Sequence, residues 1–263
     1  DVPGPAAPPA LPQRAAVKLP KPDPAPPAIT PAPAAPEQAP RVAEAPAAIG
    51  RVLVPPSARF HYDVAVAAKG FSLRGRGELE WRNDGRQYEA RLEISTPILP
   101  SRIQRSNGRI TEQGLAPAYF SDKSRSEQAT HFDRERKRVI FSNNRPPADL
   151  VAGLQDRLSV LLQLAAMVAG QPANFPPGTD IVIPTASTRE TEDWTFEVEG
   201  EENLQLPGGA VRALKLHRKP RKEYDQRLEL WLAPRMDYAP VRVRLTNPNG
   251  DAVDQRWSST DKG

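Results

Sequence analysis

Two features of this 263-residue chain combine residue types and spacings that can do chemistry. One is Asp156 with Ser159, a carboxylate and a hydroxyl three positions apart. As a reacting pair they would serve a hydrolase, with the carboxylate working on a nucleophilic hydroxyl. The structural readings are a hydrogen bond from a buried Asp156 to a strand, or a helix face returning to solvent. A buried carboxylate needs a partner, because its charge is costly to desolvate. The other feature is two runs of cations: Arg134, Arg136, Lys137 and Arg138, then Arg218, Lys219, Arg221 and Lys222. Such runs suit anionic lipid headgroups or an acidic polymer, or they simply solvate exposed turns. Nucleic acid is not expected, because stacking aromatics are not interleaved with the cations.

Other chemistries find no footing. The chain has no cysteine, which removes thiolate metal sites, a cysteine nucleophile and disulfides. His61, His131 and His217 are scattered, and His61-x-Asp63 offers two ligands where a structural zinc site needs four. Glycine-rich phosphate loops, HExxH and GxSxG are absent. Glu197 and Glu199 share the charged face of one strand-like run rather than facing each other across a cleft. No metal and no cofactor is expected.

The elements that must position these residues are mostly strands. Leu79 and Trp81 alternate with charged neighbours, Asn83-Asp84-Gly85 supplies a turn, and Tyr88 to Ile94 alternates back. The same period recurs in Trp194–Phe196–Val198, Leu228–Leu230–Leu232 and Val241–Val243–Leu245. Ser106-Asn107-Gly108, Pro207-Gly208-Gly209 and Asn247-Pro248-Asn249-Gly250 read as turns. About a dozen antiparallel strands are expected, each with one apolar and one wet face.

One segment has a helical period. Leu150, Leu154, Leu158, Leu161, Ala165 and Val168 recur at steps of three and four, predicting a helix near 149–169. Asp149 is placed to cap it, and Gly170 with Pro172 to end it. Asp156 and Arg157 interrupt the stripe as exposed positions do. So apolar a helix must bury against the sheet. The expected fold is mainly β: a long curved antiparallel sheet over residues 57–263 with the helix on its concave face.

Residues 1–56 differ in kind. The first fifty positions hold 15 Pro and 15 Ala, and no aromatic precedes Phe60. Such a segment lacks the side chains to build a core and is expected to be a disordered, semi-stiff spacer. The net charge of +4 is mild. No run approaches the ~18 apolar residues of a membrane span, so membrane association is expected only through a segment absent from this chain.

Several stretches together resemble a bacterial family of unknown function, DUF3108. They are Tyr62-Asp63-Val64, Lys69-Gly70, Asn107-Gly108, Gly114-Leu115-Ala116-Pro117, Gln155-Asp156-Arg157-Leu158-Ser159, Leu230-Trp231-Leu232-Ala233 and Tyr238-Ala239-Pro240-Val241-Arg242. The resemblance implies a partly closed, half-open β-barrel in the periplasm or envelope of Gram-negative bacteria, with an N-terminal signal or inner-membrane anchor ahead of this chain. It brings no catalytic residues.

The leading expectation is a non-catalytic, monomeric envelope module. Its concave face, with Trp81, Leu92, Asp156, Phe196, Leu230 and Val243, would hold a lipid, another amphipathic ligand or a segment of an envelope protein, with the helix as plug or lid. The competing expectation for those residues is a dry core under the helix. Anion binding through the basic runs is the second functional reading, and hydrolysis through Asp156 and Ser159 the third.

Overall fold

The computed structural model describes residues 50–262, apart from Lys69 and Glu223. The expected spacer falls largely on residues 1–49, outside the described residues.

The chain first runs out a meander: β1 (Ala58–Ala68), β2 (Phe71–Asn83), β3 (Gln87–Ser95), β4 (Arg102–Thr111), β5 (Gly114–Lys123), β6 (Glu127–Asp133), β7 (Arg138–Phe141) and β8 (Ala148–Asp149). After a short β9 (Gln155–Asp156) comes the helix α1 (Ser159–Gly170). A second meander follows: β10 (Asp180–Ala186), β11 (Thr191–Leu206), β12 (Gly209–Arg218), β13 (Arg227–Ala233), β14 (Ala239–Thr246) and β15 (Ala252–Lys262). All fifteen strands form one sheet, in the order β8 through β1, then β15 back through β9. The first and last strands therefore pair in its middle, Phe60 opposite Thr260 and Val64 opposite Gln255.

This order dictates curvature. Laid flat at ~4.8 Å per strand, fifteen strands would spread over roughly 65 Å. Yet β8 and β9, at opposite edges, are joined by residues 150–154, which span about 20 Å at most. The sheet must curl until its edges nearly meet. Side chains bridge the seam: Thr130 Oγ1 donates to the Ser187 carbonyl (2.9 Å), Asn143 Nδ2 to that of Thr188 (3.1 Å) and Gln155 Nε2 to that of Leu115 (2.7 Å). Bulges at His61/Tyr62, Asn107/Gly108, Val198/Gly200 and Trp231/Leu232 add local twist.

The helix is shorter than its sequence pattern. Its turns begin at Ser159, and Asp149 lies in β8, paired with Arg138 at 2.8 Å, rather than capping it. Residues 150–158 instead cross the seam, where Gln155 and Asp156 pair in parallel with β10. The apolar spacing continues through this segment because Leu154 and Leu158 enter the same core as the helix. Within α1, nine of twelve residues are buried. Leu162 packs toward the first meander with Trp81, Tyr88 and Phe120, while Leu161, Leu164, Ala165 and Val168 pack toward the second with Phe196, Leu216 and Leu230. A helix inside a curled sheet meets protein on most sides, so no narrow stripe describes it.

Two other expectations need correction. Ser106-Asn107-Gly108 is not a turn but lies within β4 at a bulge. Glycine is required there because a Cβ at Gly108 would sit 2.3 Å from the Ala116 carbonyl oxygen. Nor is every strand wet on one face. Trp231, on the face of β13 away from Leu230, is 3 % exposed and joins Leu204, Leu206, Ala213 and Val241 in a second, outer core. The distal end of the β11–β12 hairpin reaches β15 there, with Gly208 N–H donating to the Trp257 carbonyl at 3.1 Å.

Residues 51–56, read from composition as the end of the tail, pack onto the sheet and helix. Leu53 N–H donates to the Ala166 carbonyl (2.9 Å), and the buried Pro55 carbonyl accepts from Trp81 Nε1 and Asn83 Nδ2, each at 3.0 Å.

Candidate functional site

The helix does not fill the curl. A cavity of about 620 Å³ remains at one end, within the ~300–1,000 Å³ range of small-molecule sites. Its walls are the inward faces of adjacent strands: Val66 of β1, Leu92 and Ile94 of β3, Leu228 of β13, Val243 and Leu245 of β14, and Val253 of β15. Leu161 of α1 and Trp194 of β11 line it too. The β3–β4 connection (Thr96, Leu99, Pro100) and the β5–β6 connection (Ser124 to Ser126) form its rim. That rim is itself apolar in part, with Leu99 at 45 % and neighbouring Ile98 at 75 % exposure.

Of the six concave-face residues expected from the sequence, Leu92 and Val243 line this cavity. Trp81, Phe196 and Leu230, at 1 %, 0 % and 0 % exposure, lie in the dry packing around the helix. The concave face is therefore filled along one stretch and open along another.

Asp156 belongs to the filled stretch. Its Oδ1 accepts the N–H groups of Leu158 (2.8 Å) and Ser159 (2.7 Å), which open the helix, and Ser159 Oγ accepts the Asp156 N–H (2.8 Å). The reciprocity is that of a capping box. Ser106 Oγ donates to Asp156 Oδ2 at 2.6 Å, and the Tyr88 hydroxyl donates in turn to Ser106 at 3.0 Å. Burial raises the Asp156 carboxyl to about 6, against the pull of these donors. Asp156 and Ser159 thus fasten the helix start to β4. Neither lines the cavity.

The basic runs lie in different meanders, the first between β6 and β7 and the second between β12 and β13. Arg134, Arg136 and Lys137 form the β6–β7 turn, with Lys137 in the left-handed region (φ 53°) and Arg138 opening β7. Arg136 pairs with Asp133 (3.0 Å), and Arg134 donates to the Pro117 carbonyl (2.9 Å). In the second run, Arg218 is 3 % exposed, stacked 4.4 Å over Trp194 and 3.5 Å from both Glu192 and Asp225. Arg221 pairs with Glu192, and Lys219 with Asp180 (2.8 Å) and Glu197 (2.9 Å). Lys222 is exposed. Much of the charge in both runs is therefore matched within the domain.

One residue escaped the sequence reading. Arg157, taken there as an exposed interruption of the stripe, is half-buried and lines the cavity. Its Nε is buried without a partner, and its guanidinium lies 5.6 Å from the Trp194 ring centre. Its one available signal was position: it follows Asp156 where the chain crosses the seam.

Among the described residues, no group of three or more His, Asp or Glu side chains is placed to hold a metal ion, and no helix is long and apolar enough to cross a membrane.

Together, fold and site define a half-open β-barrel with a helix inside and an apolar cavity beside it. Residues 61–255 match the sequence model of the protein family of unknown function DUF3108, and the chain belongs to that family. No curated protein matches it. Among solved structures it is similar to the β-barrel-like protein of the domain of unknown function DUF1849 from Brucella abortus. That likeness has 13 % identity and a TM-score of 0.51, over 81 % of this chain and 99 % of the other. It shows the fold. Weaker likenesses are to an exported protein with a YmcC-like fold from Bacteroides fragilis (10 % identity, 81 % and 100 % coverage, TM-score 0.37). Another is to the MucA/MucB complex of Pseudomonas aeruginosa (14 % identity, 78 % and 51 % coverage, TM-score 0.30). At those scores a shared fold is not argued.

Proposed function

We propose that this domain is a non-catalytic envelope module that holds an apolar or amphipathic ligand in the concave-face cavity. The observation that carries the reading is the cavity itself: about 620 Å³, walled by aliphatic side chains of β1, β3, β13, β14 and β15, beside a helix that packs tightly elsewhere. Small apolar cavities in a domain interior usually collapse or fill, because each void forfeits dispersion contacts. One this large with an open rim is better explained as room for a guest. The non-catalytic part of the reading is supported by the engagement of Asp156 and Ser159 with each other's backbone. The envelope setting rests on the family resemblance.

Native mass spectrometry of the full chain, purified without detergent and then offered fatty-acyl probes, tests the proposal. Bound lipid or stoichiometric uptake is expected, and Val243→Trp, which fills the cavity, is expected to abolish it. An empty protein that takes up no acyl probe overturns the reading.

A further inference from the structure

We infer that the guest in this cavity carries an anionic head, a carboxylate or a phosphate, and that Arg157 receives it. The inference rests on the cavity being a ligand site and names the chemistry of its polar end.

Arg102, Arg125 and Arg157 line the cavity, and burial and pairing separate them from one another and from the nearby Arg218 and Arg256: Arg125, in the β5–β6 connection, is exposed to water. Arg102, at the rim, bonds Asp122 through Nε (2.9 Å) and through Nη2, and Gln104 donates to the same carboxylate at 2.9 Å. Arg218 has Glu192, Asp225, the Gln226 carbonyl (3.2 Å) and the face of Trp194. Arg157 has no hydrogen bond and no ion pair among the described residues; it touches the protein's charges only at a distance, and only the Trp194 ring lies against it. Arg256 likewise has no ion pair, but it follows Gln255, which lines the cavity, and so faces the other side of β15.

A guanidinium does not shed its proton to escape burial, so its charge stays. Beside Trp194, with its Nε buried and unpartnered, it carries an unmet desolvation cost. Burial and the nearby cations Arg102 and Arg218 all weaken its hold on its proton, while Asp122 and Glu190 oppose them. Asp122 is already occupied by Arg102 and Gln104. An incoming carboxylate or phosphate would meet Arg157's unpaired donors in a low-dielectric site, with its alkyl chain along the aliphatic wall. Charge-assisted, two-pronged bonding is what guanidinium geometry favours. A neutral head of equal length would bury the same chain and gain little from Arg157.

The experiment compares three ligands of one chain length on the full, delipidated protein by calorimetry: dodecanoate, dodecyl phosphate and dodecanol. Both anions are expected to bind about ten- to a hundredfold more tightly than the alcohol, the range of a hydrogen bond to a charged group. Preference for dodecanoate over dodecyl phosphate would point to free fatty acids, and the reverse to phospholipid-type heads. Arg157→Gln is expected to bring both anions to the level of the alcohol and leave the alcohol unchanged, while Arg157→Lys keeps part of the preference. Equal binding of all three by the unaltered protein overturns the inference and leaves the cavity reading intact. Binding of none overturns the cavity reading itself. The head-group comparison needs no variant, so it stands even if Arg157→Gln fails to fold.

Discussion

The interior of this curled sheet has two regions built from the same alternating strands. Around Trp81, Tyr88, Phe120 and Leu162 the space is filled, and side chains keep 0–1 % exposure. Around Leu92, Val243, Leu161 and Trp194 it is open, and they keep 5–8 %. The polar residues follow suit. In the filled region Asp156 is satisfied by two backbone N–H groups and the Ser106 hydroxyl. Its chain neighbour Arg157, in the open region, has no hydrogen-bond partner among the described residues. Asp156 is thus matched entirely from within the protein, whereas the buried Nε of Arg157 is not.

Substitutions on the helix should break that comparison most sharply. Leu162→Ala, in the filled region, is expected to cost about 3–4 kcal/mol in urea unfolding, the range for a buried leucine whose surroundings cannot collapse. Leu161→Ala, beside existing free space, should cost about half as much and lower affinity for an acyl probe. Equal costs would mean the cavity is not open in solution.

The pH dependence of Asp156 comes next. The folded state binds its proton more tightly than the unfolded state, since burial lifts the group to about 6. Its contribution to stability is therefore greatest below pH ~4 and is lost as pH rises toward 6, by up to about 3 kcal/mol. Paired carboxylates such as Asp122 and Glu199, whose affinity for protons is lowered by Arg102 and Lys215, act in the opposite sense. The measurement is thus the difference between the unaltered protein and Asp156→Asn across pH 4–6, which should slope as stated. A flat difference would mean Asp156 is not buried as a charge.

The smallest effects separate the two basic runs. Arg218→Ala removes a buried cation from Trp194, Glu192 and Asp225 and should cost about 2 kcal/mol. Arg136→Ala, whose side chain is 80 % exposed, should change stability by less than about 0.5 kcal/mol. Thermal unfolding of both variants reads the contrast directly.

The strands were legible because period-2 alternation is local: Leu79/Trp81 and Leu228/Leu230 announce their faces without reference to the rest of the chain. Asn83-Asp84-Gly85 and Asn247 to Gly250 announced real turns for the same reason, with Gly85 and Gly250 at positive φ. Ser106-Asn107-Gly108 misled because a glycine required by a close approach across strands looks the same as one required by a turn. The helix start misled because Leu150 and Leu154 share its core without sharing its backbone. Of the expected concave-face residues, Leu92 and Val243 line the cavity, while Trp81, Phe196 and Leu230 showed the same pattern and went to the filled region.

What the sequence by itself determined is the class of most elements and, between bulges, which side chains share a face, since both follow from backbone geometry and nearest neighbours. What only the tertiary structure decided is what stands opposite each face. A strand's pattern cannot say whether a helix residue, another strand or empty space lies ~10 Å away across the sheet. That distinction depends on residues 150–157 crossing the seam, which places Asp156 in a closed network and Arg157 at the wall of an open cavity.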